Sequence, residues 1–169
     1  MKTGKPDLAI LLGPNGVGKT HICHVLERNG LFRFYSIEEF LIGKYKSLSN
    51  FQRHREEGYV QFEKVIHSAR DGKPIIFEES GISDEATRMI GRLKKDYAVR
   101  LISVSANLDL CIGRVERRGI ESNFPKSAEF VKDSFDKWES KAKSKYVFDM
   151  EIVNNNLSDR AIVKLFSAF

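Results

Sequence analysis

The sequence predicts an α/β fold, a three-layer α/β/α sandwich with helices on both faces of a five-stranded parallel sheet. Three observations predict it. Short apolar runs, continuous rather than alternating, recur at Leu8 to Leu12, Phe32 to Ile37, Pro74 to Phe77, Val99 to Val104 and Phe148 to Val153, the mark of strands covered on both faces. Longer amphipathic stretches separate them, and parallel neighbours require such crossovers. The chain has 169 residues, 41% of them hydrophobic and 30% charged, the size and balance of one globular domain with its own core. Residues 1–169 are therefore read as a single unit.

The elements follow in order. The first strand runs into a glycine-rich turn and a helix over Lys19 to Arg28, which Gly30 stops. After the second strand, Phe32 to Ile37, comes a helix over Ser49 to Arg70, stopped by Gly72. The stretch 38–70 is longer than one crossover needs, so it is read as an insertion beyond the sheet, where binding segments concentrate. The third strand ends in Glu78-Glu79 and leads to a helix over Ser83 to Lys95. Beyond the fourth strand, Asn107 suits the N-cap of a helix over Leu108 to Arg118, and Gly119 suits its stop. An irregular polar segment, 119–127, separates this helix from the next, Ser127 to Lys143. The fifth strand and a helix capped by Ser158 complete the chain.

Composition narrows the function classes. Lysine and arginine number 28 against 23 acidic residues, a formal charge of +5, which attracts phosphate as nucleotide, nucleic acid or anionic metabolite, and equally suits a lysine-rich surface. Cys23 and Cys111 have no companion at metal-ligand spacing, which points to a reducing compartment. No apolar run approaches the roughly 18 residues of a membrane span. The expectation is a cytoplasmic protein with no membrane partner.

The most specific pattern is Gly13-Pro14-Asn15-Gly16-Val17-Gly18-Lys19-Thr20, a full match to G-x-x-x-x-G-K-[ST] between a strand and a helix. Glycines at Gly13, Gly16 and Gly18 let the backbone N–H groups of the loop, those of Asn15 and Val17 included, turn toward phosphate, and the helix N-terminus adds partial positive charge. Lys19 would reach the β and γ phosphates, and Thr20 would offer a hydroxyl to Mg²⁺. The pattern implies binding of ATP with Mg²⁺. Glu78, directly after the third apolar run, is placed to face the metal, and strand alternation turns Glu79 the other way. Glu38, after the second strand, is a second candidate acid and a possible base for a hydroxyl acceptor. Arg114 and Arg118 lie on one helix face and could neutralise charge on a transferring phosphoryl group, whereas Arg117 turns away. Arg53, His54 and Arg55 could clamp an anionic acceptor. A guanine reader is missing, since Asn154-Asn155-Asn156-Leu157 lacks the lysine and aspartate that it needs.

On these residues the chain resembles the nucleoside-monophosphate and shikimate kinase superfamily of P-loop proteins. Asp109 to Gly119 is similar to the helix that leads into the lid of such kinases, and Phe148 to Asn155 is similar to the final strand of guanylate kinases. The resemblance implies strand order 2-3-1-4-5, an acceptor-binding insertion at 38–70, a lid at 119–127, and Arg114 and Arg118 acting with Lys19 on the phosphoryl group. It also implies transfer from ATP to a small anionic acceptor, a nucleoside monophosphate first, in a monomer or homodimer. A polynucleotide end as acceptor, or a non-catalytic ATP-binding module, are the alternatives. Glu38 falls on the second acid of the shikimate kinase Asp-x-Asp. Val60 stands where those kinases carry an acceptor-binding arginine, and Glu79-Ser80-Gly81 replaces their triple glycine, so shikimate is not the expected acceptor. Lys132 and Lys137 stand in place of the arginines of guanylate kinases.

Overall fold

The computed structural model describes residues 4–69, 72–118 and 127–168. Its five parallel strands, β1 (Asp7–Leu12), β2 (Arg33–Phe34), β3 (Ile75–Glu79), β4 (Ala98–Ser105) and β5 (Met150–Val153), stand in the order β2-β3-β1-β4-β5. Between them run α1 (Lys19–Arg28), α2 (Ile37–Tyr45), α3 (Leu48–Arg53), α4 (Arg55–Ser68), α5 (Asp84–Asp96), α6 (Leu108–Arg118), α7 (Ala128–Lys137) and, after β5, α8 (Asp159–Phe166). The expected fold class and strand order are those observed.

The side-chain period of two sorts the strands between two cores. Leu8, Ile10 and Leu12 of β1, with Ile75 and Phe77 of β3, face α2, α4 and α5. Ala9, Leu11 and Ile76 face the other way, onto Ile22, Val25 and Leu26 of α1. The C-terminal segment enters both cores: Trp138 and Ala142 join the first, and Val131, Ile152, Ile162 and Phe166 the second. Trp138 to Ala142 form a π-turn that continues α7.

Elements depart from expectation where side-chain capping overrides the apolar pattern. Ser36 accepts a hydrogen bond from Glu39 N at 3.1 Å and starts α2 at Ile37, so β2 ends at Phe34 rather than Ile37. The helix expected over Ser49 to Arg70 is two: Ser47 caps α3, accepting from Asn50 N, and the chain bends at His54 (φ −118°, ψ 28°) before α4. Gly58 lets α4 press on its neighbours, since a Cβ there would lie 2.9 Å from Leu41 and 3.2 Å from Phe51. Conversely β3 is longer than its apolar run and takes in Glu78 and Glu79, which pair in register with Leu11 and Leu12. Asn107 caps α6, accepting from Asp109 N at 2.9 Å, and Ser158 caps α8, accepting from Ala161 N at 3.2 Å. Among the described residues no helix is long and apolar enough to cross a membrane.

Candidate phosphate-binding site

Gly13 to Gly18 wrap the carboxyl end of β1 and deliver Lys19 into the first turn of α1. All three glycines of the loop are dictated by close approach, a Cβ on Gly16 (φ +87°) lying 2.8 Å from the carbonyl oxygen of Cys111. A Cβ on Gly13 would lie 2.2 Å from the carbonyl oxygen of Val104, and one on Gly18 (φ +91°) would lie 2.4 Å from Asn154 Nδ2. Between them Val17 is fully buried and anchors the loop in the α1 core. Lys19 is only 6% exposed, and its ammonium donates to Gly13 O at 2.7 Å and Pro14 O at 2.9 Å, so the charge rests inside the curve of the loop. One residue on, Thr20 Oγ1 donates to Glu78 Oε1 at 3.2 Å.

Three side chains far away in sequence brace this loop. Ser134 of α7 accepts from Asn15 N and Asn15 Nδ2, each at 3.0 Å. Asn154, just past β5 and 4% exposed, donates from Nδ2 to Val17 O at 2.8 Å and accepts from Leu157 N at 3.3 Å. Arg114 of α6 donates to Gly16 O at 3.3 Å and to Asn154 O at 3.0 Å. Ser134 and Asn154 were missed in the sequence. The run of asparagines after the last strand was a signal, because a buried asparagine at a strand end needs backbone partners.

Beside Gly18 lies a cavity of about 450 Å³ lined by His21, Arg114, Arg117, Arg118 and Asn154. Arg114 and Arg118 are thus brought together. Arg117, expected to turn away, lines both this cavity and a second one with Asp109, Gly113 and Glu116, and its Nε donates to Gly113 O at 3.1 Å. Glu38 is half-buried in the first turn of α2, at the end of the strand next to β3. Residues 119–126 of the expected lid lie outside the described residues.

The paired glutamates of β3 divide between the two faces of the sheet, and both are 8% exposed. Glu78 shares the α1 face with Ile76 and meets Thr20. Glu79 shares the opposite face with Phe77, where Oε1 accepts from Ser80 N at 2.8 Å and Ser80 Oγ at 2.9 Å, and Oε2 accepts from Tyr59 OH at 3.2 Å. Burial raises the pKa of Glu79, hydrogen bonds from Ser80 oppose the shift, and the charge of Glu78 adds to it. Burial, with Glu79 adding, also drives the Tyr59 hydroxyl well above the ordinary tyrosine range. The Cys23 thiol beneath the loop is likewise raised, by burial first and Glu78 second, which removes it from nucleophilic chemistry.

Of the basic run Arg53 to Arg55, expected as a clamp for an anionic acceptor, two members have acidic and aromatic neighbours. His54 stacks on Tyr45 with ring centroids 6.0 Å apart and lies 3.7 Å from Glu57. Arg55 lies 3.8 Å from Glu85 and over the ring of Phe51, and Arg53 is exposed at the end of α3. The donor set at the loop suits a magnesium nucleotide: an ammonium resting on backbone oxygens that phosphate oxygens can replace, and a hydroxyl and a carboxylate as hard oxygen donors.

No protein-family model matches the chain, and no curated protein matches it in sequence. Solved structures do match. The tunicamycin resistance protein of Deinococcus radiodurans aligns over 97% of this chain and 95% of its own, with TM-score 0.65 and 19% identity. A shikimate kinase from Acinetobacter baumannii, in complex with shikimate, aligns over 96% and 90%, with TM-score 0.58 and 15% identity. A chain of the Pnkp1/Rnl/Hen1 RNA repair complex aligns over 88% of this chain and 49% of its own, with TM-score 0.66 and 13% identity. With its glycine-rich loop at the end of the central strand and its sheet in the order β2-β3-β1-β4-β5, the chain has the fold of the P-loop kinases of the shikimate and nucleoside-monophosphate kinase type.

Proposed function

We propose that this chain is a phosphotransferase that moves the γ-phosphoryl group of ATP, with Mg²⁺, to a small-molecule acceptor. The observation that carries the reading is the hydrogen-bonded pair of Thr20 and Glu78, set one residue from the enclosed ammonium of Lys19. Lys19 would exchange the carbonyls of Gly13 and Pro14 for phosphate oxygens, and the loop N–H groups would orient the triphosphate. Thr20 and Glu78 would hold Mg²⁺, which supplies charge neutralisation on the phosphates when bound. Arg114 stands against the loop at Gly16 and, with Arg118, offers guanidinium charge where the phosphoryl group gains negative charge in transit. Glu38 would take the proton of an acceptor hydroxyl. A nucleic-acid end is the second reading, favoured by the +5 charge and by the likeness to a chain of an RNA repair complex.

The test is thermal unfolding with and without ATP and Mg²⁺. A ligand bound by the native state alone at 100 times its Kd stabilises by about 2.7 kcal/mol, and at about 2 to 4 °C per kcal/mol for a domain of this size the Tm should rise by roughly 5 to 11 °C. Lys19→Ala should abolish the rise. A wild-type Tm that ignores saturating nucleotide sinks the proposal, and binding without turnover on any acceptor leaves only an ATP-binding module.

A further inference from the structure

Helix α4 runs antiparallel to β3. Its last turns lie at the amino end of the sheet, where Ile66 O accepts from Tyr97 OH at 3.0 Å just before β4 begins. Tyr59 lies at the carboxyl end, donating to Glu79 Oε2 at 3.2 Å. Arg55 is the first residue of α4, four before Tyr59 and so on the same helix face. It therefore projects past the end of β3, the strand paired with β1 and its loop, on the side of an open α/β sheet where ligands bind.

Pairs of arginine and glutamate join α4 to α5, and they loosen toward that end. Arg92 Nε donates to Glu63 at 2.7 Å and Arg88 Nη2 donates to Glu56. Arg55, at the open end, lies 3.8 Å from Glu85, beyond hydrogen-bond reach. Its Nε is buried with no hydrogen-bond partner, although the side chain is 41% exposed. Arg92 also leaves Nη2 buried and unpartnered, but beside Glu63, two turns along α4 and level with the sheet. The Arg55 guanidinium stands over Phe51, 5.7 Å from the ring centroid, and Phe51 is wedged against α4, since a Cβ on Gly58 would come within 3.2 Å of it. A stacked guanidinium is a fork kept in one plane. Hydroxyls lie on the same side: Ser83 Oγ donates to Tyr59 OH at 3.5 Å, and Ser80 Oγ to Glu79 Oε1 at 2.9 Å. Burial first and Glu79 next raise the pKa of the Tyr59 hydroxyl, and Arg55 is near enough for its charge to oppose them. A buried guanidinium N–H left unbonded is costly, and its best partner is an oxyanion.

Resting on the reading that the loop binds ATP, we propose that Arg55 is the residue that holds the acceptor, a small hydroxyl compound carrying an oxyanion of its own, carboxylate or phosphate, seated on the Arg55 fork beside Tyr59 and Ser83. Because no hydrogen bond ties Nε, the fork turns to the anion without giving one up. The oxyanion itself makes and breaks no bond. At the hydroxyl the O–H bond breaks and its proton passes to Glu38. The freed oxygen bonds to the γ phosphorus as the bond from that phosphorus to the β–γ bridging oxygen breaks, and ADP leaves with the electron pair.

Matched acceptors offered to the whole chain with ATP and Mg²⁺ test this: D-gluconate against D-glucitol and its phosphate, glycerate against glycerol and its phosphate, ribonucleosides against their 5′-monophosphates, and a 5′-hydroxyl oligonucleotide. Phosphorylated product is read by mass. At least one anionic compound should be used with kcat/KM about 100-fold above its uncharged counterpart, the scale on which pockets discriminate, and the carboxylate and phosphate arms tell the two oxyanions apart. Arg55→Ala should raise the KM of that acceptor by about 10- to 100-fold, the worth of a charged hydrogen bond, while its kcat, the KM of the uncharged counterpart and the ATP-induced rise in Tm are kept. Arg55→Lys, with the charge but without the fork, should fall between, and it serves alone if the alanine variant does not fold. Preferred use of an uncharged compound or of the oligonucleotide overturns the proposal. So does an unchanged KM in the variants, or silence of every anionic compound with a chain that binds ATP. Loss of the ATP-induced rise in wild type is the different failure, of the phosphotransferase reading itself, and takes the acceptor with it.

Discussion

Glu78 and Glu79 are neighbours in sequence with unrelated work, because the pleat sends one to Thr20 and the other to Tyr59. Glu78→Gln keeps the shape and removes the charge, so turnover should fall far more than ATP affinity, measured as a split between kcat and nucleotide Kd. Glu79→Gln should show in stability instead. The folded chain holds the Glu79 proton more tightly than the unfolded chain does, since burial raises its pKa. From the ordinary glutamate range upward the native state therefore binds more protons than the unfolded state, and stability falls with pH until Glu79 itself ionises. Glutamine keeps one oxygen to accept from Ser80 and turns its amide N–H to donate to Tyr59 OH, and it does not titrate. The variant should gain Tm relative to wild type as pH rises through that window, and parallel Tm curves would refute the assignment. Glu78 was legible as the residue after an apolar run, whereas the partner of Glu79, Tyr59, depends on how α4 docks and no local pattern announces it.

At the level of elements, the phosphate loop is held by pieces that arrive late in the chain. Asn154 fills the space that Gly18 leaves open and closes the bond to Val17 O. Asn154→Ala leaves a buried carbonyl without its donor, a loss of about 1 to 3 kcal/mol, or a Tm lower by roughly 2 to 12 °C, and it should weaken nucleotide binding as well. An unchanged Tm with unchanged ATP affinity would remove Asn154 from the site. The loop motif itself was plain in the sequence because its chemistry fixes its spacing. The insertion was legible in extent but not in form: Ser36 and Ser47 start helices inside stretches whose apolar content reads as strand or as one long helix, and His54 breaks what periodicity would continue. Capping serines act through single hydrogen bonds, which hydrophobic patterning does not register.

For the molecule as a whole, strand order and the central place of β1 followed from continuous apolar runs and the resemblance together, while the sharing of the C-terminal segment between two cores did not. Trp138 lies under the α4 and α5 side of the sheet, Phe166 lies under the α1 side, and β5 completes the ladder with β4, Ile102 opposite Met150 and Val104 opposite Ile152. Residues 127–168 thus grip the rest of the chain from above and below, with Ser134 tied to Asn15. Covalent continuity between 118 and 127 is then not what keeps the two parts together. A chain cut once there, by a protease site engineered into 119–126, should migrate as a single particle with its ATP response intact, and the two pieces expressed separately should reconstitute each other on mixing. Fragments that complement in this way would make the fold a two-part sensor, in which the thermal response to ATP reports whether the halves have met.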